Sequence, residues 1–335
     1  MHPLFHLIDV KEETQRHLAH FLKLWEEEQV ICIQTSGSTG APKEICFTKN
    51  QFIVSAKKTI DFFQLTSSSK ALLCLSPETI GGKMMLIRAL VGGYQLTVTD
   101  ARMDPLEHIE ESIDFIALVP AQLASIVKIP SSLQKLKKIR HVLIGGAAIS
   151  PELEGFLQKE QIRAFQSYGM TETISHVALR EIGKEKSYTA LEGIEFSTDN
   201  ERLIIHYPAL QKEAIITNDC VELIDKNSFI WLGRADFVVN SGGKKIHVEA
   251  LEQRISSFYS ESFILSSIPD PTWGEALVMI TAHPLTLSKA DFQQHLEGFE
   301  IPKFWQQSTL IHTKNGKIQR QQTFAQTKAH AWISL

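Results

Sequence analysis

The sequence predicts an α/β fold: a large N-terminal α/β domain with a β-rich subdomain, followed by a small C-terminal α+β domain. Two observations predict the large domain. Short apolar, β-branched runs alternate with helix-period segments from residue 11 to residue 144, and several of the runs end in glycine-containing loops. Apolar strands that alternate with helices belong to a mainly parallel sheet covered on both faces. A third observation, a change to short strands and Asp/Asn turns from about 188 to 232, predicts the β-rich part.

In order, residues 11 to 29 carry apolar and charged residues at helical spacing, and Val30–Gln34 reads as a buried strand leading into a glycine loop. Residues 49 to 65 are predicted helical and Ala71–Leu75 a strand. Ser76–Gly82 is predicted as a loop that opens onto an apolar helix from Lys83 to Val91. The pattern repeats with a strand at Gln95–Thr99, a helix over 104 to 112, a strand at Phe115–Val119, a helix over 120 to 128, and a strand at Val142–Ile144 closed by Gly145 and Gly146. Short strands follow at Arg202–Tyr207, Ala214–Thr217, Val221–Ile224 and Phe229–Leu232. Beyond Gly233-Arg234-Ala235-Asp236 come a strand, a Gly242-Gly243 turn, a helix over 248 to 258 and an α+β tail. The boundary is placed near Asp236, giving domains of 1–235 and 236–335.

A chain of 335 residues has ample length for a buried core, and its 43% hydrophobic and 21% charged content is that of a globular protein. The formal net charge of -4 gives no reason to expect nucleic acid or an anionic membrane surface as partner. No apolar run reaches the roughly 20 residues of a membrane span. Cys32, Cys46, Cys74 and Cys220 sit singly in apolar runs without zinc-site spacing, which predicts core thiols in a reducing cytosol and a cytoplasmic protein. Oligomeric state has no signal in the sequence.

The densest chemistry lies in Thr35-Ser36-Gly37-Ser38-Thr39-Gly40-Ala41-Pro42-Lys43. Glycines let backbone N–H groups approach an anion, hydroxyls donate further hydrogen bonds, and the lysine adds a mobile charge. A polyphosphate such as ATP suits that composition. A Walker A loop is excluded, because Ala41 and Pro42 separate Gly40 from Lys43 and Glu44 follows. By composition alone the stretch also fits a surface turn.

Four further motifs in fixed order decide between these. With Ser167-Tyr168-Gly169-Met170-Thr171-Glu172, Thr217-Asn218-Asp219, Gly233-Arg234-Ala235-Asp236 and Asn315-Gly316-Lys317-Ile318-Gln319-Arg320, the loop resembles the adenylate-forming superfamily from about residue 30 to the end. The resemblance implies ATP and CoA as reactants and magnesium as the metal cofactor. A carboxylate attacks the α-phosphate, pyrophosphate leaves, and the CoA thiol takes the acyl group. Stabilising charge on phosphoryl oxygens is the main catalytic demand of the first step.

The same resemblance assigns roles. Thr35, Ser36, Gly37, Ser38, Thr39, Gly40 and Lys43 would cradle the β and γ phosphates, and Gly145, Gly146 and Ala147 would run along adenine. Tyr168 and Gly169 would face the adenine, Thr171 the α-phosphate, and Glu172 the magnesium ion. Asp219 would accept from the ribose hydroxyls with Arg234 beside it. Lys317 would reach the reacting carboxylate and α-phosphate, then withdraw as the small domain turns about Asp236. Gly242, Gly243 and Lys244 would line the CoA path.

Only 34 residues precede the loop, fewer than the family usually carries, so a reduced N-terminal subdomain is expected. That build, together with Gly169–His176 and Ser241-Gly242-Gly243, resembles the o-succinylbenzoate-CoA ligases of menaquinone biosynthesis. Their substrate has a second carboxylate, for which Lys83 and Arg88, on the helix after Gly81 and Gly82, and His176 are the candidates. Lys83 and Arg88 could equally solvate or cap that helix. A ligase for another aryl or medium-chain acid, an adenylation domain that loads a carrier protein, and a non-catalytic nucleotide binder are the alternatives. Asn218, where the family has Gly, is expected to occupy a positive-φ position.

Overall fold

The computed structural model describes residues 2–34, 44–312, 318–328 and 331–335. Its first half alternates strands and helices: β1 (Phe5–Leu7), α1 (Glu12–Glu27), β2 (Val30–Gln34), β3 (Glu44–Thr48), α2 (Lys49–Phe63), β4 (Lys70–Leu73), α3 (Ile80–Gly92), β5 (Gln95–Val98), β6 (Phe115–Leu118), α4 (Pro120–Ile126), α5 (Pro130–Leu136), β7 (His141–Ile144), α6 (Pro151–Lys159) and β8 (Ala164–Gly169). A run of strands follows: β9 (His176–Glu181), β10 (Tyr188–Ala190), β11 (Glu195–Asp199), β12 (Arg202–His206), β13 (Ile215–Asp225) and β14 (Ser228–Arg234). The remainder comprises β15 (Val238–Ser241), β16 (Lys244–His247), α7 (Val248–Ile255), β17 (Phe263–Asp270), β18 (Gly274–Thr281), α8 (Lys289–Gln293), β19 (Phe304–Gln307), α9 (Arg320–Ala325) and β20 (Ile333–Ser334).

Local chemistry explains the helices that frame the site. Thr48 and Gln51 form a reciprocal capping box that starts α2, satisfying backbone donors that have no partner inside the helix. Thr79 caps α3 by accepting from the Gly82 amide at 3.2 Å, and Gly93 ends it at a φ of +67°. Gly82 is obligatory there, since a Cβ would lie 2.0 Å from the Ser76 carbonyl oxygen.

One 12-stranded sheet carries the first two thirds of the chain, in the order β1-β5-β4-β6-β7-β8-β9-β10-β14-β13-β12-β11. The ladders from β1 to β8 are parallel, and every ladder from β8 onward is antiparallel. Two apolar clusters cover the sheet, one around Phe63, Phe115 and Phe165 and the other around Leu118, Val142 and Leu157. A second sheet, β16-β15-β18-β19-β20 with β17 on β18, has its own core around Leu251, Leu277 and Phe292. Among the described residues no helix is long and apolar enough to cross a membrane.

The structure departs from expectation at several points. Residues 104 to 112 form turns, because Asp104 accepts the Leu106 amide and Lys135 takes the Leu106 and Glu107 carbonyls that a helix would use. Gly81 and Gly82 lie inside the first turn of α3, not in the loop before it. The β-rich segment continues the main sheet through the β8–β9 ladder and has no separate sheet, and its two middle runs merge into β13 across bulges. β2 stands apart in a two-stranded sheet with β3, with alternate residues exposed. Cys32 and Cys46, expected as core thiols, are exposed and joined in a disulfide across that ladder, while Cys74 and Cys220 are buried thiols. Asn218 lies within β13 and is not among the positive-φ residues, so the Gly it replaces is not required.

Candidate active site

The carboxyl ends of β7 and β8 and the turn into β9 make the floor of the site, as expected where a parallel sheet ends. Gly145 follows β7 with its amide on the Leu118 carbonyl, and Gly146 takes a φ of +86°. Ser167 donates to the Ile144 carbonyl at 3.0 Å and Gln166 to the Ala147 carbonyl at 3.2 Å, so β8 fixes the 145–147 turn.

The segment Gly169–His176 is tightly stapled. A Cβ on Gly169 would lie 2.4 Å from the Ser175 carbonyl oxygen, so only glycine allows β8 and β9 to approach there. The buried Thr173 hydroxyl accepts from the Met170 amide and faces the Met170 and Ser175 carbonyls. Ile174 has a φ of 64° and a ψ of -52° with the Ser175 amide on the Thr173 carbonyl, a γ-turn of the strained kind. A buried β-branched residue held at positive φ costs on the order of 1–3 kcal/mol, and such strain gathers at functional sites. Thr171 and Glu172 stand on the short 3-10 turn just before it, with Glu172 exposed.

Behind this turn sits an unusual cation. Arg88 on α3 is 2% exposed and has no acidic partner among the described residues. One guanidinium nitrogen donates to Ser175 Oγ at 2.6 Å, another meets the Met85 sulfur, and Nε has no partner among the described residues. Burial lowers its pKa to about 10, which still leaves it charged at neutral pH. Ser175 Oγ in turn lies 3.4 Å from His176 Nδ1, and His176 Nε2 lies 3.1 Å from the Thr59 hydroxyl of α2. Burial first, then the Arg88 charge, holds the His176 pKa well below its ordinary value, so the ring is neutral. Lys83 joins neither: its ammonium clasps the Glu78 carbonyl at 3.0 Å, which closes the loop ahead of α3.

A second centre forms where β8, β13 and β14 meet. Tyr168 Oη donates to Asp219 Oδ2 at 2.6 Å, and Trp231 Nε1 donates to Asp219 Oδ1 at 3.3 Å. The Asp219 amide rests on Thr217 Oγ1. Burial, and then the Asp219 charge, raises the Tyr168 pKa well above its ordinary value, keeping it a donor. Its ring is packed against Phe229 and Tyr188 rather than lying open as a stacking face. Arg234 is the register partner of Asp219, but its guanidinium pairs with Asp236 at 3.0 Å.

The second sheet is tied to this centre through α7. Glu249 accepts the Arg234 amide at 2.6 Å, and burial raises the Glu249 pKa. Arg320 forms a two-pronged ion pair with Glu252, one turn along, and lies near Glu249. The β15–β16 hairpin turns on Gly242 and Gly243 at φ of +57° and +75°, the two-residue turn that needs both left-handed. Lys244 opens β16, and the exposed Trp273 lies against Gly242, where a Cβ would strike its ring.

The structure thus brings Gly145–Ala147, Gly169, Thr171, Glu172, Arg88 and His176 to one end of the sheet, with Tyr168, Asp219 and Arg234 alongside. Thr35–Lys43 and Lys317 lie outside the described residues. Sequence reasoning missed Ser175, Thr59, Trp231 and Glu249; only Ser175, inside a quoted motif, carried a signal.

The profile of the family described as AMP-binding enzyme matches residues 8–200. The chain is 26% identical over 352 residues to the 2-succinylbenzoate–CoA ligase of Staphylococcus epidermidis, covering 95% of this chain and 74% of that one. It is similar in structure to an acyl-CoA synthetase (AMP-forming)/AMP-acid ligase II-like protein from Dyadobacter fermentans, at 31% identity and a TM-score of 0.65 over 95% of both chains. The o-succinylbenzoate CoA synthetase of Bacillus subtilis, solved with its acyl-adenylate intermediate, shares the fold at a TM-score of 0.76 and 21% identity, over 89% of this chain and 69% of that one.

Proposed function

The chain belongs to the AMP-binding enzyme family, and on that footing we propose that it is an ATP-dependent acid:CoA ligase whose acid is o-succinylbenzoate. The names of its relatives support the reaction, adenylation of a carboxylate followed by transfer to the CoA thiol. The observation that carries the acid is Arg88. A guanidinium kept charged in the core without a carboxylate is costly, and a substrate carboxylate would offset that cost with a charge-assisted pair.

Ser175 and neutral His176 hold the Arg88 fork in place, so His176 acts through its neighbours. Asp219, aligned by Tyr168 and Trp231, has lone pairs left to accept ribose hydroxyls. Glu172 fits a magnesium ion as one exposed carboxylate, since that cation takes few protein ligands and completes its shell with phosphate and water. Thr35–Lys43 cradles the pyrophosphate, with Thr171 at the α-phosphate and Gly145–Ala147 beside adenine. Lys317 stabilises the adenylation step from a C-terminal domain, 236–335, that turns at Asp236 and then presents Gly242, Gly243 and Lys244 to CoA. ATP and CoA as reactants place the work in the cytoplasm.

Acid-dependent release of pyrophosphate tests this with o-succinylbenzoate, benzoate, a phenylalkanoate and a medium-chain acid, followed by CoA. The expected result is release with o-succinylbenzoate and CoA thioester formation. Release with benzoate but not o-succinylbenzoate would remove the substrate assignment, and no release with any acid would remove the ligase.

A further inference from the structure

We infer that Glu249 and Glu201 form a two-point clasp across the hinge at Asp236, which holds the C-terminal domain in one orientation and has to open before that domain turns. The idea rests on the proposed turn about Asp236. The first point is a bond over the hinge itself. The chain leaves β14 at Arg234, passes Asp236 in the 3-10 turn Ala235–Phe237, makes the β15–β16 hairpin and comes back in α7. There the Arg234 amide donates to Glu249 Oε2 at 2.6 Å. A residue before the hinge is thus tied to one after it, and rotation of the domain breaks the tie. Gly233, at a φ of +139°, admits the carboxylate, since a Cβ there would lie 2.9 Å from Glu249 Oε2 and 3.1 Å from its Cβ. The neighbouring cation Arg320 is committed to Glu252 by two bonds, which leaves Glu249 for the Arg234 amide.

The second point reaches from the main sheet to β16. Asn200 and Glu201 form the two-residue turn between β11 and β12, at φ of 50° and 69°. Glycine is the usual occupant of the second place in such a turn, and a glutamate there carries strain. Its carboxylate meets Lys245 Nζ at 3.0 Å and His247 Nε2 at 3.8 Å, both on the strand that follows the hinge. A carboxylate on a backbone amide makes a strong hydrogen bond, whereas an exposed ion pair contributes little. Glu249 is therefore the main catch and Glu201 the lesser one. An orientation is favoured only by contacts that the other orientation lacks, and these two contacts join residues on opposite sides of Asp236. Both glutamates are positioning residues, acting on where the small domain stands and not on the reacting atoms.

The test measures the distance between spin labels at the exposed positions Lys212 and Ala290 of the full chain, introduced as non-canonical amino acids so that the cysteines stay untouched. Glu249→Ala is expected to raise the ratio of a second distance to the first by about ten-fold, as loss of a hydrogen bond to a charged group implies. Glu201→Gly should raise it by about two-fold. Glycine also relieves the positive-φ strain, so the Tm of that variant should hold or rise while the orientation shifts. An unchanged distance distribution in either variant, or a single broadened distribution with a fallen Tm in Glu201→Gly, would overturn the clasp. The distances are read without substrates, whereas the ligase reading is tested by pyrophosphate release from the parent chain, so each can fail without the other.

Discussion

Replacing Arg88 with methionine separates a binding residue from a structural one. Burial lowers its pKa to about 10, a shift that corresponds to about 3 kcal/mol spent on keeping the charge in the core. Methionine has similar length and no charge, so it recovers that cost and forfeits the Ser175 hydrogen bond, worth about 1.5–3 kcal/mol to a charged donor. The variant should be as stable as the parent or more so, by up to about 1–2 kcal/mol and a few degrees in Tm. With o-succinylbenzoate, loss of a buried charge pair should raise KM by roughly 30-fold or more, while a monocarboxylate analogue loses little. Thermal unfolding and steady-state kinetics with both acids give the answer. A fall in Tm together with an unchanged KM ratio would refute the reasoning, because Arg88 would then be a core-building group.

Three other outcomes are expected. Tyr168→Phe removes the hydroxyl at 2.6 Å from Asp219 and should raise KM for ATP by about 5- to 30-fold with a smaller change in kcat, a split absent if the ring alone matters. Stability to urea should fall as pH drops below 6.5, because His176 is held well below that value when folded, so the unfolded chain takes a proton the folded one refuses. Buried His141 adds in the same direction, and His176→Gln should flatten the decline; a decline of the same slope in that variant would clear His176 of the effect. Lys317→Ala should slow acid-dependent pyrophosphate release by about 100-fold or more and spare thioester formation from supplied acyl-adenylate, with equal loss of both steps as the refuting result.

Much of the parallel half was legible because its signals are local. β6 and β7 are continuous apolar runs, and α2 has its helical period and a polar cap. The 104–112 segment misled because its apolar spacing suits a helix while Asp104 and Lys135 bind the backbone from outside, a partnership no local pattern reveals. The cysteine pair failed for the same reason: register, not spacing, brings Cys32 to Cys46. In the site, chemistry-bearing residues announced themselves by type. Their supports did not, since Trp231 and Thr59 look like ordinary strand and helix residues until Asp219 and His176 stand beside them.

The seam between β8 and β9 has a consequence for anyone who would engineer this chain. Tyr168 and the Gly169–His176 turn lie on or beside that seam, and Asp219 hangs from the strands beyond it, all hydrogen-bonded into one plate. The proposed acid end and the proposed nucleotide end therefore cannot be exchanged between homologues as interchangeable cassettes. A graft that cuts between β8 and β9 would break the ladder that sets their spacing, so productive chimeras will have their joints beyond Arg234.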